Sequence, residues 1–291
     1  MNFLKKIYIH IYGYFNNLII WIFGLFRSEI KTFWFDDANN FGDILTPYIF
    51  KSFGQLKIKK IDPKYYLFTN YLTIGSILTL SNKKSIIWGS GFISANSVFK
   101  YGKPAKILAV RGPKTRKRIL ELGVDCPEVY GDPALLLPNF YKPKTTIKKY
   151  KLGIIPHYKD KISSFLENFN EDEVLIIDIQ NPNIFEFIDL INQCEKIVSS
   201  SLHGLIVADA YQIPSLWIQF SNEIIGDGFK FLDYFESVNR RDTKPVIIDK
   251  SINAKDLLTC FKEYRIKIDL NKLAESCPFK NKELEKFISS F

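Results

Sequence analysis

The residue with the clearest capacity for acid–base chemistry is His203, in the stretch KIVSSSLHGLIVADAYQIP. The apolar run ending at Ser199 predicts a buried strand and the apolar segment after Gly204 predicts a helix, so His203 lies where a strand ends and a helix begins. Histidine changes charge near neutral pH and can act as a general acid or base. A structural histidine usually has a partner in its own element, but no residue from Ser199 to Ile206 is acidic. We therefore interpret His203 as catalytic.

Four further residues are candidates for the same site as His203: Asn40, Gly42, Asp43 and His157. Asp43 follows Gly42 in NNFGDILTPYIF, at the predicted start of a helix, where a carboxylate can accept a proton from a substrate hydroxyl. The alternative is that Asp43 only caps the helix and Gly42 only makes a turn. His157 follows a predicted strand in IIPHYKD, where a surface histidine is equally compatible with the sequence. We assign Asn40, Gly42 and His157 to the cleft or to acceptor binding.

Three loops predict the binding of an anion. In AVRGPKTRKRIL, Arg111 ends a predicted strand, and a guanidinium there can hold a phosphate or carboxylate through two parallel hydrogen bonds. In WGSGFIS, two glycines allow backbone amides to approach a phosphate closely. The serines before His203 offer further donors. The predicted donor-binding residues are Arg111, Arg116, Gly89, Ser90, Gly91, Ser200, Ser201 and Gly204.

Composition limits the classes of partner and cofactor. The 291 residues carry 40 Lys and Arg against 31 Asp and Glu, a formal net charge of +9, which favours acidic partners. The four cysteines lack CxxC spacing and the chain has three histidines, so we predict neither a disulfide framework nor a metal site. A reducing cytoplasm is the expected compartment. No helix-turn-helix, RNP or zinc pattern accompanies the charge, so nucleic acid is not expected as a partner.

The candidate residues need a scaffold in which several strand ends meet. Beyond residue 30, short β-branched or aromatic runs alternate with helical periodicity, which predicts a parallel α/β fold. Residues 31–138 form a first block, residues 139–150 a linker, and residues 151–291 a second block with a helical tail. We therefore predict two Rossmann-like, doubly wound domains that face a cleft. The strand-like segments of the first block are KTFWF, YLTIGS, SIIWGSG, AKILAVRG and VYGDPALLLP.

Residues 1–30 form a separate apolar segment. The stretch IYIHIYGYFNNLIIWIFGLF carries no formal charge, is flanked by Lys5, Lys6 and Arg27, and is nearly as long as a membrane span. Its internal polar residues and dispersed aromatics favour an interfacial helix, with a span and an ordinary docked helix as alternatives. We expect peripheral membrane contact through residues 1–28 and a location at the inner face of the cell membrane.

Six blocks of the sequence resemble, in the same order, those of the polysaccharide pyruvyl transferases, in particular the branch similar to succinoglycan pyruvyl transferase. The blocks are NNFGDILTPYIF, WGSGFIS, VRGPKTR, YGDPALLLP, IIPHY and SSSLHGLIVADAYQIPSLW. The resemblance implies a two-Rossmann fold like that of the GT-B glycosyltransferases and phosphoenolpyruvate as donor, with no tightly bound cofactor. It also implies a glycan or lipid-linked oligosaccharide as acceptor, a pyruvate ketal as product, and a role in cell-surface polysaccharide biosynthesis.

Each step of ketal formation from an enol phosphate has a candidate residue. The methylene carbon must be protonated, for which His203 is the candidate acid, and Asp43 can accept the proton of the attacking hydroxyl. Arg111 matches the arginine of the family's first-domain motif. Together with the amides around Gly89 and Gly91, it can stabilise the phosphate as its charge grows.

The sequence departs from the family pattern at Ser201. Many members carry an arginine at this position, two residues before the motif histidine, so one positive charge of the usual donor site is missing. That charge would come from Arg111 alone or together with another basic residue. The candidates are Arg116, Lys230, Arg240 and Arg241.

Two other functions remain compatible with the sequence. A glycosyltransferase of the same architecture would use a nucleotide sugar and need an acidic residue for the nucleotide ribose, for which Asp178 and Glu223 are candidates. A noncatalytic glycan-binding protein at the membrane is the other alternative, if the missing arginine means lost activity.

Overall fold

The fold contains two parallel five-stranded sheets with helices packed against them. It comes from a computed structural model that describes residues 3–24, 29–35, 40–52, 57–161, 163–169, 172–220, 227–241 and 244–279, together with residues 285 and 289. The predicted α/β class is therefore confirmed.

The first sheet belongs to the N-terminal part of the chain. After helix α1 (Phe3–Gly24), its strands are β1 (Glu29–Thr32), β2 (Lys57–Lys60), β3 (Asn70–Leu72), β4 (Ser85–Trp88) and β5 (Lys106–Ala109), with the order β2-β1-β3-β4-β5. Its helices are α2 (Phe41–Ser52), α3 (Pro113–Glu121) and the short α4 (Leu137–Phe140). We call this sheet with α2, α3 and α4 the first half.

The second sheet contains the strands β6 (Tyr150–Ile155), β7 (Val174–Ile176), β8 (Cys194–Ser199), β9 (Ser215–Gln219) and β10 (Val246–Ile247), with the order β10-β9-β8-β6-β7. Its helices are α5 (Ile184–Asn192), α6 (Leu202–Ala210), α7 (Phe229–Ser237), α8 (Ala254–Thr259) and α9 (Leu270–Glu275). This sheet and its helices form the second half.

Both sheets have the same topology. Numbered within its own half, each sheet has the strand order 2-1-3-4-5 found in doubly wound folds. The strands stay parallel, and the direction in which successive strands are added to the sheet reverses between β1 and β3 in the first sheet and between β6 and β8 in the second. In such sheets, ligands bind at the carboxyl ends of the strands beside this switch point. We therefore expect a ligand-binding site at the loops after β1, β6 and β8.

The predicted strands of the first block are partly wrong. The segment VYGDPALLLP makes only an isolated bridge between Val110 and Tyr130, then a 3-10 helix (Pro133–Leu136) followed by α4. Asp132 explains the change, because its side chain accepts a hydrogen bond from the amide of Ala134 (2.9 Å) and so starts a helical turn. The fifth strand of the sheet is instead β2, a lysine-rich segment with little apolar surface.

The two halves share one hydrophobic core. Phe41 of α2 stacks on Phe187 of α5, with ring centroids 4.0 Å apart, and both are fully buried. The C-terminal segment also returns to the first half, where the indole Nε1 of Trp88 donates to the carbonyl of Leu273 (3.0 Å). The ring of Phe279 packs edge-on against Phe50 of α2. These contacts fix the orientation of one half relative to the other.

Helix α1 packs on the outside of the first half through Tyr65 and Phe68. Residues 25–28 of the predicted N-terminal segment lie outside the described residues. Within the described ranges, no helix combines the length and the hydropathy needed to cross a membrane.

Candidate active site

His203 lies at the junction of the two halves. It is the second residue of α6, directly after β8, and its side chain keeps 12% of its surface exposed. The backbone of α2 lies against the imidazole ring, because a Cβ added at Gly42 would be 1.8 Å from Nδ1 of His203. Asn40 holds this turn by accepting a hydrogen bond from the amide of Gly42 (3.1 Å). The structure thus brings Asn40 and Gly42 to His203 from the other half of the molecule.

The acidic partner of His203 is Asp132. Its Oδ2 lies 3.6 Å from Nε2 of His203, too long for a hydrogen bond but within the distance of an ion pair. Both atoms are inaccessible to solvent, and neither has a hydrogen-bond partner in the described part of the chain. A carboxylate facing a ring nitrogen favours the tautomer that carries its proton there. Nδ1, the other ring nitrogen, lies against the backbone of Gly42.

Asp132 is not among the site residues predicted from the sequence. A partner within the element of His203 would lie between Ser199 and Ile206, whereas Asp132 comes from the first half, 71 positions earlier by their numbers. Asp132 belongs to the motif block YGDPALLLP, but nothing in the local pattern of that block indicates that the carboxylate turns toward an imidazole. Only the packing of the two halves establishes this contact.

Arg111 lies at the same junction but has a different task from the one expected. Its side chain is fully buried. Nε donates to Asp233 of α7 (3.0 Å), Nη1 donates to Ser76 (2.8 Å) and Nη2 donates to the carbonyl of Phe92. Asp233 also accepts hydrogen bonds from the amide and the hydroxyl of Thr115, each at 2.7 Å. The guanidinium therefore ties α7 to the first half and does not project into an open cleft.

The backbone amides of WGSGFIS are also occupied. The amide of Gly89 donates to the carbonyl of Ala109 (2.9 Å), and the amide of Gly91 donates to the carbonyl of Gly75 (3.1 Å). The hydroxyl of Ser90 donates to the same carbonyl of Gly75 (3.0 Å). In this conformation the loop supports Arg111 and offers neither glycine amide to a phosphate.

Lys230 lies at the start of α7, near Arg111 and Asp43. It is the second residue of α7, and its ammonium has no hydrogen bond or ion pair with the described residues, only a contact over the ring of Phe231 (5.3 Å). Burial, reinforced by the positive charge of Arg111 and opposed by Asp43, lowers the pKa of Lys230 to about 8. Asp43 itself lies in the first turn of α2. The carboxylate of Asp43 and the ammonium of Lys230, which come from opposite halves, thus lie within electrostatic reach of each other.

His157 borders the same region from the second half. Burial, with smaller contributions from Lys230 and Lys159, lowers the pKa of His157 to about 4, so its ring is neutral at neutral pH. Its backbone amide donates to the hydroxyl of Ser200 (2.8 Å), which in turn donates to Asp160 (2.7 Å). These bonds fix the end of β6 against the end of β8.

Ser201 and Gly204 shape the start of α6. Ser201 is the buried N-cap residue, and its amide donates to the hydroxyl of Ser199 (3.0 Å). A Cβ at Gly204 would be 2.4 Å from that hydroxyl oxygen, so only glycine leaves room for it.

The remaining basic and acidic candidates lie elsewhere. Arg240 is buried in a network with Asp209 (2.9 Å), and Arg116 bonds to the carbonyl of Cys126 (3.0 Å), while Arg241 is exposed. Asp178 forms an exposed ion pair with Lys161 (2.8 Å). Glu223 lies outside the described residues. Within the described residues, no group of three or more His, Cys, Asp or Glu is arranged to hold a metal ion.

Comparison with known proteins finds one family model and two relatives that match this chain. A model of the family described as polysaccharide pyruvyl transferase matches residues 42–222, which include Gly42, Arg111, Asp132 and His203. An uncharacterized protein of Acanthamoeba polyphaga mimivirus is 31% identical over 214 residues, 72% of this chain and 74% of that protein. The succinoglycan biosynthesis protein ExoV of Rhizobium meliloti is 25% identical over 211 residues, 71% of this chain and 64% of that protein.

Removing Asp233 tests the junction. We expect Asp233→Ala to lower the free energy of unfolding by about 3–5 kcal/mol, because the charge of Arg111 stays buried without compensation. Glu236→Ala is the matched control on the same helix. It breaks an exposed ion pair with Lys114 (3.4 Å), and we expect a loss below about 1 kcal/mol. Equal losses for the two variants in urea unfolding would contradict the assigned role of Arg111.

A double-mutant cycle tests the contact between Gly42 and His203. Gly42→Ala alone should destabilise the protein, because its methyl group would overlap the imidazole ring. In a His203→Ala background the ring is absent, so the same change should be neutral or stabilising, as expected for glycine to alanine within a helix. We expect a coupling energy of about 1–3 kcal/mol from thermal or urea unfolding. A coupling near zero would mean that the two halves do not meet at this contact.

Proposed function

Since the chain belongs to the polysaccharide pyruvyl transferase family, we propose that it transfers pyruvate from phosphoenolpyruvate to a pair of hydroxyl groups on a glycan and forms a ketal. The observation that supports this proposal is that His203 faces Asp132 across the two halves. The two facing atoms are buried, and neither has a hydrogen-bond partner among the described residues. A buried acid and an imidazole that face each other where two doubly wound sheets meet suit acid–base catalysis.

The chemistry balances with the groups available. His203 delivers a proton to the methylene carbon of the enol phosphate while a sugar hydroxyl attacks the adjacent carbon and passes its proton to Asp43. The carbon–oxygen bond to phosphate then breaks, and the second hydroxyl closes the ketal. Two hydroxyl protons are released in total, of which one replaces the proton given by His203 and the other leaves with phosphate. No further reactant is needed.

Lys230 is proposed to bind the anionic groups of the donor. Ser201 leaves no positive charge two residues before the histidine, and every guanidinium nitrogen of Arg111 already donates to a protein oxygen. Lys230 lies at the start of α7, where the helix dipole also attracts negative charge. Its unpaired ammonium supports this assignment. Arg111 acts on the donor indirectly, by holding α7 in place.

We also propose that the two halves are arranged as in the GT-B glycosyltransferases, with the acceptor glycan entering on the side of Asn40, Asp43 and His157. The identical strand order of the two sheets and the return of the C-terminal segment to the first half support this arrangement. It leaves the donor near α7 and the acceptor near α2.

Substitution of the catalytic pair tests the proposed reaction. We expect His203→Ala and Asp132→Asn each to lower turnover by about a hundredfold or more, because proton delivery loses its donor or the orientation of that donor. The assay combines labelled phosphoenolpyruvate with lipid-linked oligosaccharides from the source cell and measures the mass of the product. Asp178→Asn, the same change at an exposed carboxylate, should retain activity. Unchanged turnover in His203→Ala would refute the assignment, and a wild type that binds the glycan but neither binds nor turns over phosphoenolpyruvate would favour a noncatalytic glycan-binding protein.

The ionisation of Lys230 predicts how donor binding depends on pH. The ammonium loses its proton as the pH rises through its pKa of about 8, so affinity for phosphoenolpyruvate should be constant below this value and fall above it, by up to about tenfold per pH unit. Lys230→Arg should keep the affinity high across the same range, because arginine stays protonated. Lys230→Met should bind weakly without a step in this range. Calorimetric titration at several pH values measures all three, and the same alkaline step in Lys230→Met would exclude Lys230 as its cause.

A further inference from the structure

Helix α1 presents its apolar side to solvent. Several large side chains that are 43% to 67% exposed project from it, among them Tyr8, Ile11, Tyr12, Phe15, Leu18 and Ile22. Their spacing of one, three or four residues places them on one face of a helix with 3.6 residues per turn. The neighbouring Leu67 of the first half is 61% exposed and extends this surface. We call these seven residues the outward face.

The opposite side of α1, which contacts the protein, is the less apolar one. Asn17 is 5% exposed and donates to the carbonyl of Gly13 (3.0 Å), and Gly13 lies directly against the ring of Tyr65. His10 meets the same ring edge-on (5.3 Å between centroids). The large ring contacts of this side are those of Trp21, stacked on Phe68 at 4.1 Å, and Tyr14, edge-on to Tyr65 at 5.5 Å. A helix that docks to remove apolar surface from water has the reverse orientation, so the outward face calls for another partner.

The charges around the outward face are mostly positive. Residues 3–24 contain no Asp or Glu, and Lys5 and Lys6 are exposed at the start of the helix. Lys60 and Asp62 line a groove of about 510 Å³ beside α1, and Lys84 lines another beside Trp21. This distribution complements a negatively charged surface. It also disfavours a two-fold dimer through the same face, which would bring identical lysines together.

We propose that the outward face of α1 inserts into the headgroup region of an anionic lipid bilayer, with the helix axis parallel to the membrane. The contacts with Tyr65 and Phe68 keep the inner side on the protein, so one face remains to enter the lipid. Tyrosines suit the boundary between headgroups and acyl chains, and lysines suit anionic headgroups. This inference does not depend on the proposed reaction, because it concerns a separate surface of the first half.

Vesicle sedimentation tests the proposal with the full chain. We expect the protein to sediment with vesicles of an equimolar mixture of phosphatidylcholine and phosphatidylglycerol, more weakly with phosphatidylcholine alone, and less in high salt. Lys5→Gln with Lys6→Gln should weaken binding to the anionic vesicles by about fivefold for each lysine. Ile11→Ser with Phe15→Ser should weaken it by about tenfold or more, since both side chains lose their insertion into the lipid.

A matched control distinguishes binding through the outward face from nonspecific adsorption of exposed apolar side chains to vesicles. Leu120→Ser with Ile147→Ser removes two exposed apolar side chains, 42% and 72% exposed, that lie away from α1, and should leave vesicle binding unchanged. Circular dichroism and thermal unfolding check that every variant is folded. Equal binding by the wild type and by Ile11→Ser with Phe15→Ser would overturn the proposal. A wild type that ignores vesicles but forms a dimer that is lost in the same variant would also overturn it, in favour of a second copy as partner.

Discussion

The ion pair between Arg111 and Asp233 is the interaction on which the site depends. Both side chains are fully buried, and they join the end of β5 to helix α7 across the two halves. A buried ion pair gains little stability over a well-packed apolar contact, but it strongly penalises any arrangement in which one partner is left alone. The ion pair therefore mainly fixes the position of α7 relative to the end of β5. With α7 fixed in this way, Lys230 lies near Asp43, and α6 brings His203 against α2.

The position of the site follows from the topology. Both sheets have the order 2-1-3-4-5, so each half has its own switch point, and the two switch points face the same junction. The loop after β1 supplies Asn40 and Asp43, the loop after β6 supplies His157, and the turn after β8 supplies His203. The residues proposed for the reaction therefore come from both halves.

The sequence predicted what depends on local pattern. Parallel α/β architecture and the position of His203 at a strand end follow from periodicity and turn residues, and both are present. Strand β2 was not predicted, because three of the four residues of Lys57–Lys60 are lysines and leave little apolar signal. This segment becomes a strand through its pairing with β1. The contact of Asp132 with His203 and the burial of Arg111 join residues far apart in the chain. No local pattern could reveal them.

The motif glycines illustrate the same limit. The two glycines of WGSGFIS suggested backbone approach to a phosphate, but Gly91, like Gly42 and Gly112 of the neighbouring motifs, makes room for a protein group instead. A Cβ at Gly42 would strike the ring of His203, one at Gly91 would lie 2.5 Å from the Cζ of Arg111, and one at Gly112 would lie 1.9 Å from the carbonyl oxygen of Asp233. None of the three has a positive φ, so space and not backbone conformation requires glycine there. The glycines of these motifs therefore allow close packing at the junction of the halves, and the positions of His203, Arg111 and Asp233 depend on that packing.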